Sequence, residues 1–284
     1  MKKLLLISLL SLGLAACGNV TTNVSNANDV LISIGNENIK VGQVYSALIA
    51  QDSSTIIKEM AQQIILNKEV EITEEMKAEA QTQLDEFTTN MGENAELYLQ
   101  YYGYKDMDDY YTNGILPTLQ QDVLVDTYLN NNYATLAASY QPKKVRIIEV
   151  SDAALADAAL AEIQGGTDFS TVATKYTTAA YPGYEELVYN QSELPEVVLV
   201  WMNLQTNPTL SPVLPDTTNA TNYIVQVTEA DVNKLQTEVI ANFKLDTTFV
   251  DKTIAEAFIR NEFKLYDKSV YDKFIATYPS YITK

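Results

Sequence analysis

The side chains in this sequence that could do chemistry are carboxylates, phenols and one thiol. The 284 residues include no histidine and one cysteine, beside 37 acidic residues and 19 tyrosines. Without histidine there is no Ser-His-Asp or Cys-His nucleophile and no imidazole ligand for a metal. One cysteine permits no intrachain disulfide and no iron–sulfur cluster, and no spacing of carboxylates supports a glycosidase pair. The sequence therefore predicts no metal site and no cofactor.

The one cysteine follows a short leader. Two lysines precede the apolar run Leu4–Leu14, which is too short to span a bilayer and is typical of a signal peptide. The sequence Leu14-Ala15-Ala16-Cys17 resembles the lipobox of bacterial lipoproteins. This resemblance implies cleavage before Cys17, a diacylglyceryl group on its sulfur, and a lipid anchor at the extracytoplasmic face of the cell membrane. The alternative is an ordinary secretory signal in which the cysteine falls at this position by chance.

Charge excludes one large class of partner. The net charge is −18 and the sequence pI is about 4.3. Binding to DNA or RNA needs basic residues that displace phosphate counterions, so a nucleic-acid partner is not expected. Hydrophobic residues make up 46% of the chain, enough to form a core.

Tyrosines are concentrated in one part of the N-terminal half: Tyr101, Tyr102, Tyr104, Tyr110 and Tyr111. A tyrosine ring offers a large apolar contact area and a polar tip, which suits a surface that binds varied polypeptides. Ordinary packing at a helix junction is the alternative. The neighbouring acids Asp106, Asp108 and Asp109 lack the glycine and closing glutamate of an EF-hand, so they indicate a solvated helix start and not a calcium site.

Helical periodicity dominates both ends of the chain. Apolar residues between 56 and 65 recur at helical spacing and predict one apolar face: Ile56, Ile57, Met60, Ala61, Ile64 and Ile65. A long helical stretch is predicted over 106–138, and Pro117 should kink or split it. From Pro142 the pattern changes to a strand, two helices and a closing strand, which is typical of a small α+β domain.

These patterns predict an α+β protein with a mainly helical lobe and an inserted domain. The expected parts are a signal peptide (1–16), a tether (17–29), a helical N-terminal domain (30–141), an α+β domain (142–230) and C-terminal helices (231–284). Residues 30–141 carry 5 basic and 17 acidic residues, whereas 231–284 carry 8 of each. A neutral C-terminal segment can pack on an acidic N-terminal one with less repulsion, which favours one lobe built from both chain ends.

Two stretches carry a resemblance to a known family. Gly166–Thr177 resembles the signature after the first helix of parvulin-type prolyl isomerases, and Tyr223–Thr228 resembles their closing strand. Together with the lipobox, their order resembles the PrsA foldases, lipoprotein chaperones related to SurA. The resemblance implies a SurA-like N-terminal domain and a degenerate parvulin-like domain. Active parvulins carry a histidine in the first and in the closing strand, and here Ile147 and Tyr223 occupy those positions.

The resemblance implies an extracytoplasmic chaperone that assists the folding of secreted proteins. Its partners would be unfolded or nascent secreted polypeptides, the membrane through Cys17, and a second copy in a homodimer. With both histidines absent, little or no isomerase activity is expected. Two alternatives stay open: a prolyl isomerase that works without histidine, and a surface adhesion or ligand-binding lipoprotein.

Lipidation at Cys17 is the first testable prediction. Mass spectrometry of the processed protein should find a diacylglyceryl-cysteine at its N-terminus. Cys17→Ala should remove the anchor and release the protein from the membrane fraction. A processed N-terminus elsewhere, with Cys17 unmodified, would refute this prediction.

Overall fold

The computed structural model describes residues 24–35, 37–51, 53–177 and 181–282. Cys17, the predicted signal peptide and the first part of the predicted tether lie outside these residues. By its internal contacts the chain divides into two compact units. Unit 1 comprises Met1–Val125 together with Thr247–Lys284, and unit 2 comprises Asp126–Asp246.

The described chain consists of helices and short strands, with runs of consecutive helices on both sides of the strands β3 to β7. In order, the elements are β1 (Val30–Ile34), β2 (Glu37–Lys40), α1 (Val41–Ala50), α2 (Ser54–Glu69), α3 (Glu74–Met91), α4 (Ala95–Tyr101), α5 (Met107–Tyr110), α6 (Leu116–Tyr140), β3 (Lys143–Val150), α7 (Ala153–Gln164), α8 (Phe169–Tyr176), β4 (Glu186–Val188), α9 (Glu196–Asn203), β5 (Thr209–Leu210), β6 (Leu214–Asp216), β7 (Thr221–Glu229), α10 (Val232–Leu245), α11 (Thr247–Arg260) and α12 (Lys268–Thr277). The predicted α+β class is confirmed. Within the described residues, no helix combines the length and apolar character needed to cross a membrane.

A core of unit 1 contains residues from both the N-terminal and the C-terminal parts of the chain. Phe258 of α11 and Phe274 of α12 are fully buried there, and Leu66 of α2 and Met76 of α3 are buried in the same core. The Phe258 and Phe274 rings both contact Phe263, at centroid distances of 4.9 and 5.2 Å. Burial of such large apolar side chains is the main stabilising contribution to a domain of this kind.

Unit 2 is built on an antiparallel five-stranded sheet. Its order is β4-β3-β7-β5, and β6 also pairs with β7. Side chains alternate between the two faces of the central strands. One face packs against α9 through Val198 and Met202, and the other packs against α7 and α8 through Ala159 and Phe169.

The boundaries of unit 2 are wider than the predicted 142–230. The second half of α6 and the whole of α10 belong to it, because these helices contact each other. Lys244 pairs with Asp126 at 3.6 Å, and the hydroxyl of Tyr133 donates a hydrogen bond to the carbonyl oxygen of Val232. The Tyr140 ring also lies against Phe243 at 5.2 Å. Whether 142–230 can be excised as a unit stays a prediction.

The predicted apolar face of α2 is wrong in half of its members. Ile65 is buried, and Ile57 and Ala61 pack against the core of unit 1. Ile56, Met60 and Ile64 are exposed. These three follow one another at intervals of four residues and form a second stripe, so α2 carries more apolar surface than the core of unit 1 covers.

The structure also shows what happens at Pro117, which was predicted to kink or split the long helical stretch. Pro117 is the second residue of α6, and a π-helical turn (Tyr111–Ile115) directly precedes this helix. The proline therefore marks a change of helix type within the predicted helical stretch.

Residues 24–29, predicted as tether, form turns. The carbonyl oxygens of Ala27 and Asp29 accept hydrogen bonds from the backbone of Gly42 and Val41, at 2.9 and 3.0 Å.

Truncation of one side chain tests the core of unit 1. Phe258→Ala should lower the free energy of unfolding by about 3–5 kcal/mol, because it leaves a cavity among buried rings. The adjacent Ile259 is 41% exposed, so Ile259→Ala should cost about 1 kcal/mol or less. Urea denaturation of both variants measures the difference, and equal effects would contradict this assignment of the core.

Candidate functional site

The first candidate site is the face of the unit 2 sheet that carries Ile147 and Tyr223. In the pairing of β3 with β7, Ile147 lies opposite Val225 and Tyr223 lies opposite Glu149. Ile147 and Tyr223 are both buried in the core that packs against α9. The two positions singled out from the sequence therefore lie on the same face of the sheet. Ile147 has apolar surroundings there and offers no hydrogen-bonding group.

Tyr223 is the polar member of this face. Its ring meets that of Tyr181 edge-on, with centroids 5.9 Å apart. Burial, and then the negative charge of Glu149, raise the pKa of Tyr223 to about 12. Burial and Glu149 also raise the pKa of Tyr181. Both phenols therefore stay protonated at neutral pH, where each can donate a hydrogen bond but cannot act as a base.

The stretch Gly166–Thr177, which contains α8, packs against the opposite face of the sheet. Asp168 caps α8, since its carboxylate accepts a hydrogen bond from the Thr171 backbone N–H at 3.1 Å. Phe169, Val172 and Ala173 are buried. Gly183 has a φ of +79°, and a Cβ there would lie 2.4 Å from the Cβ of Ala173. Only glycine fits this position, because any side chain would collide with α8.

The second candidate site is a surface of unit 1 that we call the tyrosine patch, consisting of Leu97, Tyr98, Tyr101 and Tyr102. Of α4, only Ala95 and Leu99 are buried. The four patch side chains are exposed by 69%, 41%, 84% and 59%, respectively. Tyr102 contacts Tyr98 at a centroid distance of 4.6 Å and Tyr101 at 5.2 Å. The rings thus support one another while presenting apolar area to solvent.

The five tyrosines singled out from the sequence divide into two groups. Tyr101 and Tyr102 lie in the patch. Tyr110 and Tyr111 pack against the core of unit 1, and the Tyr111 hydroxyl donates a hydrogen bond to the Lys77 carbonyl oxygen at 3.2 Å. Tyr104 is half-buried against Tyr110, at 5.0 Å. Tyr104, Tyr110 and Tyr111 therefore agree with the alternative of ordinary packing at a helix junction.

Three residues of this region were missed by the sequence analysis. Leu97 and Tyr98 precede Tyr101 and Tyr102 by four residues each, a helical spacing that would have revealed them. Gly114 makes room for the packed tyrosines, because a Cβ there would lie 2.6 Å from the Tyr110 ring and 3.0 Å from the Tyr104 hydroxyl. No sequence pattern marks that glycine.

The acids beside the tyrosines have structural partners. The Asp106 carboxylate caps α5 by accepting a hydrogen bond from the Asp109 N–H at 2.9 Å. The Asp109 carboxylate accepts from the Lys105 backbone N–H at 2.8 Å and from the Asn113 side chain at 2.7 Å. These bonds hold the pKa of Asp109 below its usual value. The helix-start interpretation of these acids agrees with this geometry.

Unit 1 also contains a groove of about 550 Å³ between α11 and the C-terminal turn. Two of its polar lining residues, Asp251 and Tyr281, contact each other. The Tyr281 hydroxyl donates a hydrogen bond to Asp251 at 3.3 Å, and Lys58 pairs with Asp251 at 3.6 Å. The Lys58 ammonium also lies 5.2 and 5.1 Å from the Tyr278 and Tyr281 ring centroids. This cluster stabilises the junction of α2 and the C-terminus.

The described chain thus has a helical unit with an exposed aromatic surface and an α+β unit whose sheet face carries the buried Ile147 and Tyr223. No family model matches the sequence, and the comparison with curated protein sequences finds no relative. Solved structures do resemble it. Peptidylprolyl isomerase (PrsA) from Bacillus cereus aligns over 89% of this chain and 99% of its own length, with a TM-score of 0.54 and 17% identity.

Two further PrsA structures align over much of the chain. Foldase protein PrsA from Streptococcus pneumoniae covers 87% of this chain and 98% of its own, with a TM-score of 0.44 and 21% identity. PrsA from Bacillus subtilis covers the same shares, with a TM-score of 0.39 and 15% identity. The Bacillus cereus likeness shows that this chain has a PrsA-type fold, which confirms the resemblance predicted from the sequence.

The raised pKa of Tyr223 generates a prediction for alkaline pH. The neutral phenol contributes stability below the usual tyrosine pKa of about 10, and this contribution is lost as the pH rises towards the folded-state pKa of about 12. The wild type should therefore lose stability relative to Tyr223→Phe, by up to about 1.4 kcal/mol per pH unit in that window. Urea denaturation of both proteins at stepped pH measures the difference. A constant difference would contradict the assigned pKa.

Proposed function

We propose that this protein is a membrane-anchored, extracytoplasmic chaperone of the foldase type, which assists the folding of secreted proteins. The observation that carries the proposal is the tyrosine patch, a supported aromatic surface left open to solvent on a PrsA-type fold. Exposed contiguous apolar surface on a soluble unit marks an interaction site. Unfolded polypeptide fits such a surface, because rings with polar tips accept many sequences without fixed partners.

Anchoring rests on the sequence around Cys17. A lipid-modified cysteine would keep the chaperone at the membrane surface where secreted chains emerge. A homodimer is a further expectation. The exposed stripe of α2 (Ile56, Met60, Ile64) is an apolar surface on which a second copy could be sought by cross-linking.

A prolyl isomerase is the second candidate. The Bacillus cereus structure carries that name, and rotation about an X–Pro bond breaks no covalent bond. Its barrier of about 20 kcal/mol can be lowered by desolvating and twisting the peptide bond. Against this candidate, Ile147 cannot donate or accept a hydrogen bond, and Tyr223 supplies one phenol where two imidazoles would supply more donors and acceptors.

Two assays on the same preparation separate these functions. The full protein should suppress aggregation of a chemically unfolded client, with a folded acidic protein of similar size as control. It should show little or no acceleration of X–Pro exchange, as measured by exchange NMR on a proline peptide.

The other outcomes are equally informative. Catalysis comparable to that of a histidine-bearing parvulin would overturn the inactive interpretation and favour the isomerase. Absence of both activities would refute the chaperone proposal and favour an adhesion or ligand-binding lipoprotein.

A further inference from the structure

The chain segment that carries the tyrosine patch is strongly acidic. Residues 85–109, which contain the patch, include Lys105 as their one basic residue. Their acidic residues are Asp85, Glu86, Glu93, Glu96, Asp106, Asp108 and Asp109. Glu93 and Glu96 lie in the turns that lead into and begin α4, immediately before the patch, and both are exposed. A negative potential around an aromatic surface attracts cations and repels acidic segments.

The aromatic rings themselves favour cations. The face of a tyrosine ring attracts an ammonium or guanidinium group, and the attraction adds to that of nearby carboxylates. This chain already uses such contacts elsewhere, since the Lys175 ammonium lies 4.8 Å from the Tyr176 ring centroid and pairs with Glu162 at 2.5 Å. In the patch, by contrast, Tyr101 and Tyr102 are open to solvent.

We propose that the tyrosine patch binds unfolded polypeptide segments in which lysine or arginine alternates with apolar residues. This inference rests on the proposed chaperone function and names the class of client. Apolar side chains of the client would lie on Leu97 and the tyrosine rings, and its cations would meet ring faces and the carboxylates of Glu93 and Glu96. An acidic client of equal hydrophobicity would lose the second set of contacts and meet repulsion instead.

The test uses the full protein and two short, unstructured, dye-labelled peptides. They share the same apolar residues and differ only in carrying lysine and arginine or glutamate. Fluorescence anisotropy should show that the basic peptide binds at least about tenfold more tightly than the acidic one. The affinity should fall with rising salt, because the carboxylates are exposed.

Variants distinguish the patch from the overall negative charge. The triple variant Leu97→Ser, Tyr101→Ser and Tyr102→Ser keeps every charge and should lose most of the binding. Tyr184, an exposed tyrosine of unit 2, provides the matched control, and Tyr184→Ser should bind like wild type. Glu93→Gln with Glu96→Gln should keep apolar binding and reduce the preference for the basic peptide. Circular dichroism and urea denaturation should show that each variant is folded.

The outcomes separate this inference from the function on which it rests. Equal binding of both peptides, or unchanged binding by the triple variant, would overturn the patch inference even if the wild type suppresses aggregation. If the basic peptide binds through the patch while aggregation is not suppressed, the patch inference stands and the chaperone proposal fails.

Discussion

The pairing of β3 with β7 is the constraint on which the α+β unit depends. Their antiparallel register sets Ile147 opposite Val225 and Tyr223 opposite Glu149. A slip of β3 by one residue would turn its own side chains, including Ile147, to the other face. Ile147 is therefore a core residue against α9. A histidine at that position would be buried, and its ring nitrogens would need hydrogen-bonding partners within this core. The apolar character of the face follows from the packing.

In unit 1, the short length of α4 limits how many of its apolar side chains can be buried. Seven residues bury only Ala95 and Leu99, so every other apolar side chain on this helix must remain at the surface. Tyrosine meets that condition better than phenylalanine, because its hydroxyl keeps contact with water while its ring packs on a neighbour. The net charge of −18 adds to the solubility of a protein with so much exposed apolar area.

Local patterns predicted the α+β class and the helical character of both ends of the chain, whereas the structure was needed to show which side chains are buried. The spacing of Ile56, Met60 and Ile64 matches that of Ile57, Ala61 and Ile65, and nothing in the sequence says which stripe meets the core. Likewise, Tyr110 and Tyr101 are the same residue type, yet one packs inward. The boundary of unit 2 at Asp126 falls inside α6, where no composition change marks it, because it depends on long-range contacts such as that of Tyr140 with Phe243.

The two candidate sites show how environment decides what one side chain can do. Tyr223 is 4% exposed, and burial beside Glu149 keeps its phenol protonated far above neutral pH. Tyr101 is 84% exposed and offers ring area with no fixed hydrogen-bonding geometry. A chain without histidine has no side chain that titrates unperturbed near pH 7. Its tyrosines offer shape, donor hydrogen bonds and ring electrostatics, and as protonated phenols they do not serve as bases near neutral pH.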